Sequence, residues 1–345
     1  MTSLAKTFFV TGGAGFIGAA FVRLLLEEVP GCVVINFDAL TYAGNLDNLS
    51  GLDQERHRFH RGDIADFGAV VEALPNDCDA VINFAAESHV DRSIENAAAF
   101  VRTNIVGTQV LLDAARELGV KRFLHVSTDE VMGSLTEDES AFFVEDSPFA
   151  PNSPYAASKA AAEHLVRAAS HTFGLDTVVT RCGNNYGPRQ FPEKFLPLMI
   201  CNALNNESIP IYGDGRNVRD WIYVDDHCRA ILAALERGKS GAVYNIGARN
   251  QRRNIDVAES VLTTLGKPKS LLRFVADRPG HDRRYAIDPT LIETELGWRP
   301  QETWQSGLTK TIEWYQNNSR WIERVRNNDY REYYRQQYGV AEEAR

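Results

Sequence analysis

The sequence contains no apolar run approaching the roughly 20 residues needed to span a bilayer, so no membrane partner is expected. The N-terminus has no basic segment followed by an apolar stretch, the pattern of a secretory signal. Cysteine is sparse. Cys32, Cys78, Cys182, Cys201 and Cys228 are scattered, odd in number and without metal-type spacing. They read as free thiols in a reducing cytoplasm, and no metal site is expected. Positive charge is in deficit: 37 Lys and Arg against 46 Asp and Glu, net −9. That balance argues against nucleic acid as a partner, although an acidic protein can hold a local cationic pocket for an anionic small molecule. Internal repeats, low-complexity tracts and long linkers are also absent. At 345 residues and 44% hydrophobic content the chain can build one large globular domain or two.

Near the N-terminus, the apolar run Thr7–Val10 leads into Thr11-Gly12-Gly13-Ala14-Gly15-Phe16-Ile17-Gly18, then a helical pattern through Phe21, Leu24, Leu25 and Leu26. Strand, glycine-rich turn and helix in this order form a dinucleotide-binding arrangement. Gly12, Gly15 and Gly18 allow close backbone approach to a pyrophosphate seated on the helix N-terminus. A second strand, Val33–Phe37, ends in Asp38, twenty residues past Gly18. A carboxylate there accepts from ribose hydroxyls and repels a 2′-phosphate, which favours NAD over NADP.

The alternation continues. Arg58–Ile64 reads as a third strand carrying Asp63, with N-capping of a Phe67–Leu74 helix as an alternative role for that acid. Ala80–Ala86 reads as a fourth strand with small residues at its cofactor end, and Arg122–Ser127 as a fifth. The fold class expected is α/β: a doubly wound Rossmann-type parallel sheet with a smaller mixed α/β C-terminal substrate domain. The expected division is 1–183 mainly NAD-binding, with about 220–250 returning to it, and 184–345 mainly sugar-nucleotide-binding, interleaved with the first. The aromatic, charged stretch Trp304–Tyr338 reads as helical packing.

Chemistry concentrates in two motifs. Thr128-Asp129-Glu130 follows the fifth strand, and Tyr155 and Lys159 stand four apart at the start of an alanine-rich helical run. That spacing puts both on one helix face. An ammonium beside a phenol favours the phenolate, so Tyr155 can serve as a base. Adjacent carboxyls push their pKa values apart, giving one acid and one base. Neighbours in a pleated strand face opposite ways, so Asp129 and Glu130 can share a substrate only if the chain leaves the pleat there. Gly133 suits that departure. The triplet could equally cap a short helix.

From these stretches, together with FAAESHVD (84–91), TNIVGT (103–108), RCGNNYGPR (181–189), RDWIYVDD (219–226) and DRPGHDRRYAID (277–288), the chain resembles the extended short-chain dehydrogenases/reductases. Within them it is similar to the dTDP-glucose 4,6-dehydratase family. The resemblance implies a redox-neutral dehydration on a retained NAD. Tyr155, with Lys159 and Thr128, acts at the glucose 4-hydroxyl, Glu130 at C5 and Asp129 at the departing 6-hydroxyl. It further implies cofactor contacts from Phe16, Ile17, Leu40, Thr41, Ile64, Phe84, Ala85, Ala86, Ser88, Thr103 and Asn185. The substrate, dTDP-glucose, would meet Ser88, Thr128, Asn184, Glu193, Lys194, Pro210, Tyr212, Arg219, Asn254, Arg278 and His281. A homodimer through a four-helix bundle is implied too, built from the Tyr155 helix and a long helix over about 97–118. Ala156, Ala157, Ala160 and Ala161 permit close helix approach.

Two positions depart from the family's pattern: Met132 stands where Tyr is usual and Gly183 where Ser is common. Met132 puts the pocket wall, and so the accepted sugar or base, in question. The competing readings are a 4-epimerase, a sugar-acid decarboxylase, a dehydratase of a UDP- or GDP-sugar, and a catalytically silent NAD-binding regulatory or scaffold protein.

Overall fold

The computed structural model describes residues 6–136, 138 and 140–326; residues 327–338 of the expected C-terminal helical stretch lie outside them. Twelve strands are present among the described residues: β1 (Thr7–Thr11), β2 (Val33–Asp38), β3 (His57–Arg61), β4 (Ala80–Asn83), β5 (Phe123–Thr128), β6 (Thr177–Cys182), β7 (Asn184–Tyr186), β8 (Ile209–Tyr212), β9 (Val218–Tyr223), β10 (Ala242–Ile246), β11 (Gln251–Arg253) and β12 (Leu272–Val275). Seven of them form one parallel sheet in the order β10-β6-β5-β4-β1-β2-β3. The order reverses between β1 and β4, the switch point at which doubly wound sheets bind ligands. Strands buried on both faces are near-continuously apolar, as in Thr7-Phe8-Phe9-Val10. Phe8 and Val10 enter one core cluster and Phe9 the other, as the two-residue period requires.

Helices Phe16–Glu28 and Val224–Arg237 pack together over the first cluster, and Thr108–Glu117 and Pro154–Phe173 over the second. The helix Pro154–Phe173 begins at Ser153, whose hydroxyl accepts from Ala156 N, has Pro154 in its first turn, and stops at left-handed Gly174. A third core gathers Trp221, Trp304, Tyr186, Met199 and Tyr315 beneath a three-stranded sheet (β11-β9-β7) and the pair β12-β8. Each fully buried aromatic such as Phe9 stabilises the fold by about 1.5–3 kcal/mol. Helices Trp304–Asn317 and Ser319–Val325 supply much of this third core.

Four features differ from expectation. β3 stops at Arg61 and β4 at Asn83, because the chain bends away toward a cavity at the switch point. The N-cap of helix Phe67–Ala73 is Asp66, not Asp63. The long helix expected over 97–118 is divided: Ala97–Phe100 is α-helical, Val101–Gly107 a π-helix and Thr108–Glu117 α-helical again. The wider turn presents the Asn104 side chain inward. There its Oδ1 accepts from Glu87 N, and its Nδ2 donates to Glu87 O and Ser158 Oγ. Such π segments commonly mark functional sites.

Candidate active site

The C-terminal edge of the main sheet opens into a cavity of about 490 Å³. One end is the glycine-rich turn. A Cβ on Gly12 would lie 2.6 Å from Ala85 N, and one on Gly18 2.2 Å from Gly12 O. Only glycine therefore keeps β1, β4 and the helix this close. Gly15 is the helix N-cap and contributes no side-chain cap, which leaves first-turn N–H groups for an anion. Asp38 is buried at the end of β2, and its carboxylate accepts from Ala14 N at 2.9 Å and Leu40 N at 2.8 Å. Burial raises its pKa, and those two N–H bonds oppose the shift.

Of the expected cofactor residues, Gly12, Gly15, Phe16, Ile17, Gly18, Asp38, Thr41, Asp63, Ile64, Phe84, Ala85, Ala86, Ser88, Thr103, Tyr155, Lys159 and Asn185 line this cavity. Leu40 does not; it sits at φ 53° with its N–H on Asp38. Asp63 pairs with Arg102, and its other oxygen accepts from Ala65 N. A cradle only glycine fits, an N-terminal cluster of N–H groups and the buried acid that ends β2 together suit a dinucleotide.

The chain leaves the pleat directly after Thr128: Asp129–Met132 forms a 3₁₀ turn, and Gly133 follows at φ 81°. Thr128 caps that turn, accepting from Glu130 N at 3.3 Å. Capping and a shared cavity wall are thus compatible, since Thr128, Asp129 and Glu130 all line the cavity. Asp129 is 2% exposed, and its Oδ2 has no hydrogen-bond partner. Burial, then Glu130 and Asp220, push its pKa well above the carboxylate range, with Arg219 opposing. Glu130 is also raised by burial, but Arg278, Arg219 and Lys194 pull it back. Asp129 is therefore the more readily protonated member of the pair and Glu130 the more readily ionised one.

Tyr155 and Lys159 face the cavity from one helix face. The expected ammonium–phenol pairing differs in detail. Lys159 Nζ donates to Val126 O at 2.7 Å and lies 3.2 Å from His125 Nε2. Burial, then Glu130, raises the Tyr155 phenol well above its usual range, and a hydrogen bond with Thr128 opposes this. Burial also lowers Lys159 to about 8.

The opposite end holds Asn184, Glu193 and Lys194 in the cavity wall. Lys194 Nζ donates to Ser88 O at 2.7 Å. Glu193 pairs with Arg92, whose guanidinium lies 3.9 Å over the Tyr42 ring. Pro210, Tyr212, Arg219, Asn254, Arg278 and His281 do not line this cavity but stand in or beside the smaller sheets. Arg278 and Tyr212 both bond Asp91, and Arg219 bonds Asp282 O and packs on Tyr285. His281 bonds Asp277 at 2.6 Å.

Met132 is buried with Val131, Phe143, Ala160, Tyr285 and Ile287, with its sulfur 3.6 Å from Arg181 Nη1. It is not part of the cavity wall, so the expectation of an altered wall fails: the 3₁₀ turn carries the side chain inward. Gly183 does line the cavity, and a Cβ there would lie 2.7 Å from Asp220 O. Sequence reasoning missed Asn104, Asp91, Tyr42, Arg92 and His125. Asp91 and Asn104 had a signal, inside the FAAESHVD and TNIVGT stretches.

A family profile described as GDP-mannose 4,6 dehydratase matches residues 9–311. The chain is 51% identical to the dTDP-glucose 4,6-dehydratase of Xanthomonas campestris pv. campestris strain B100, across 94% of this chain and 97% of that protein. The crystal structure of DesIV, a dTDP-glucose 4,6-dehydratase from Streptomyces venezuelae with NAD and TYD bound, superposes with a TM-score of 0.90 at 50% identity, covering 93% of this chain and 100% of that one. A dTDP-glucose 4,6-dehydratase from Bacillus anthracis in complex with NAD gives 0.85 at 44% identity, covering 93% and 100%.

Proposed function

The chain belongs to the GDP-mannose 4,6-dehydratase family, within the extended short-chain dehydrogenase/reductase fold, and from that premise we propose that it is an NAD-dependent dTDP-glucose 4,6-dehydratase, converting dTDP-glucose to dTDP-4-keto-6-deoxyglucose and water. The observation that carries this reading is the Asp129–Glu130 pair, two adjacent carboxyls in a single cavity wall, with Arg278, Arg219 and Lys194 favouring the charged form of Glu130 and burial the neutral form of Asp129. An epimerase has no use for such a pair.

The glycine turn, Asp38, Thr103 and Asn185 hold the dinucleotide. NAD, when bound, accepts a hydride from C4 of the sugar and returns it to C6. Tyr155, hydrogen-bonded to Thr128, takes the proton of the 4-hydroxyl in its ionised form, which burial and Glu130 disfavour in the free protein and which the nearby positive charge of Lys159 favours. The resulting ketone acidifies the C5–H, which alone is far too weak an acid for a carboxylate. Glu130, kept ionised by Arg278, Arg219 and Lys194, removes that proton. Asp129, kept protonated by burial, gives its proton to the departing 6-hydroxyl. Hydrogen-bonding capacity for a diphosphate and base comes from Lys194, Asn184, Arg219, Asn254, Arg278 and His281.

Residues 1–183 and the returning segment about 220–250 form the cofactor domain, with β10 beside β6; the remainder serves the sugar nucleotide. The protein acts as a cytoplasmic homodimer. Exposed Ile94, Val101 and Val106, beside exposed Ala157, support a helical interface. Among the described residues no helix is long and apolar enough to cross a membrane. Mass spectrometry of products from dTDP-glucose and UDP-glucose, with the Asp129→Asn/Glu130→Gln double variant, tests the activity. Loss of one water from dTDP-glucose by the native protein alone supports it, and an unchanged mass refutes it.

A further inference from the structure

His125 plays no part in the chemistry above, yet it is 0% exposed and touches Lys159. Its Nε2 lies 3.2 Å from Lys159 Nζ, and its Nδ1 lies 3.2 Å from Asn83 Nδ2. Asn83 Oδ1 accepts from Thr11 Oγ1 at 2.7 Å. The register pairs Thr11 with Asn83 and Asn83 with His125. One buried polar row therefore crosses β1, β4 and β5, on one side of the pleat, from the glycine-rich turn to Lys159.

The row contains a conflict. A neutral imidazole offers one donor and one acceptor. Here an ammonium and an amide NH₂ both face it as donors. Burial and the Lys159 charge hold the ring far below its usual titration range, so it is neutral. Lys159 cannot accept while charged. The amide can: turning Asn83 by 180° exchanges its oxygen and nitrogen without moving another atom. Asn83 Oδ1 then accepts from Nδ1–H, and Nδ2 faces Thr11 Oγ1, which can accept as well as donate.

We propose that His125 is a positioning residue for Lys159: held in the Nδ1–H tautomer by Asn83, it offers Nε2 as an acceptor that, with the Val126 carbonyl, anchors the Lys159 ammonium and keeps it charged. What Lys159 then does rests on the dehydratase reading; the hydrogen-bond row does not. The groups facing Lys159 are Glu163 on its own helix, His125 and the Val126 carbonyl on β5, and Cys182 on β6, with Tyr155, Asp129 and Glu130 lining the same cavity. Glu163 is engaged by Arg181 through both carboxylate oxygens. Burial pushes Asp129 toward its neutral form and raises the Cys182 thiol to about 12. His125 and the Val126 carbonyl are thus the direct neutral acceptors of the ammonium.

Two measurements test this on the holoenzyme. Nitrogen-15 NMR of histidine-labelled protein reads the tautomer without turnover. A neutral ring protonated at Nδ1 across about pH 6–9 is expected, and an Nε2–H tautomer or an imidazolium overturns the proposal. The second is the pH dependence of kcat for His125→Leu and His125→Gln. Losing one hydrogen bond to a charged group should lower kcat about tenfold and move the alkaline limb down by about one pH unit. KM for the sugar nucleotide should stay within about twofold, because no substrate contact is lost. Gln, whose amide oxygen reaches the place of Nε2, should restore the limb. A Leu variant with the native limb, or a Gln variant no better than Leu, overturns the proposal. If the Leu variant does not fold, His125→Asn, too short to reach Lys159, replaces it. If the native protein does not dehydrate dTDP-glucose, the NMR result still decides the tautomer, so the two readings fail separately.

Discussion

Replacing Asp129 and Glu130 one at a time should split the elimination into its two halves. Asp129→Asn exchanges a neutral carboxyl for a neutral amide in a site that is 2% exposed. Shape and charge barely change, so the stability cost should stay near 0.5 kcal/mol. What disappears is the proton for the leaving hydroxyl. General acid catalysis contributes about 10²–10⁴-fold, and water loss should slow by that factor. Glu130 remains ionised among Arg278, Arg219 and Lys194, so C5 deprotonation continues. In D₂O the Asn variant should therefore wash deuterium into C5 of unreacted dTDP-glucose faster than it releases water. Glu130→Gln should abolish both exchange and elimination, while C4 oxidation still reduces bound NAD, visible as a rise in absorbance near the NADH band. Proton NMR of recovered sugar nucleotide reads the exchange. Exchange lost in the Asn variant but kept in the Gln variant would reverse the roles assigned here and refute the electrostatic argument.

Gly12→Ala should expel the cofactor. Its φ of 69° costs a side chain about 1–2 kcal/mol, and the added Cβ lies 2.6 Å from Ala85 N, so the cavity wall must shift. NAD content of the purified variant should drop to a small fraction of native, and full occupancy would contradict the account. The kcat–pH profile should be bell-shaped. Its acid limb follows Glu130, raised above its ordinary value, as protonation removes the base. Its alkaline limb lies near the Lys159 value of about 8, where charge is lost as pH rises. A flat profile between about pH 6 and 10 would exclude both groups. The same lysine binds its proton more weakly folded than unfolded, so its own contribution to stability should rise with pH from about 8 toward 10.5, read by denaturant titration as the difference in pH dependence between the native protein and Lys159→Met. Finally, Glu163→Leu leaves Arg181 buried without its carboxylate, at a cost of about 3–5 kcal/mol. Glu163→Leu with Arg181→Met should recover most of it, and equal loss in both would argue against a buried-charge penalty.

Much of this site is legible in the chain because its parts are local. The Gly12–Gly18 turn, the Asp38 that ends β2, the Thr128–Glu130 triplet and the Tyr155/Lys159 spacing each lie within one element or one strand–turn–helix unit. Periodicity then fixes which face they share. The parallel sheet is legible too, because Phe8–Val10 and Ala80–Ile82 are too uniformly apolar for a one-faced strand. The missed groups act across elements. Asn104 reaches Glu87 and Ser158 only because residues 101–107 widen into a π-helix, and no pattern of apolar residues encodes that choice. His125 meets Lys159 across 34 residues and Asn83 across 42, and inside an apolar strand it reads as an ordinary core position. Met132 was misread for the same reason: residue type gives chemistry, but only the 3₁₀ turn gives direction.

On the dehydratase reading, one hydride leaves C4 and returns to C6 of the same sugar while water departs. Protein purified without added NAD, given dTDP-glucose deuterated at C4, tests it most directly. The account predicts a product lighter by one water that carries the deuterium at C6. An unchanged mass, or a dehydrated product with no deuterium at C6, would contradict it.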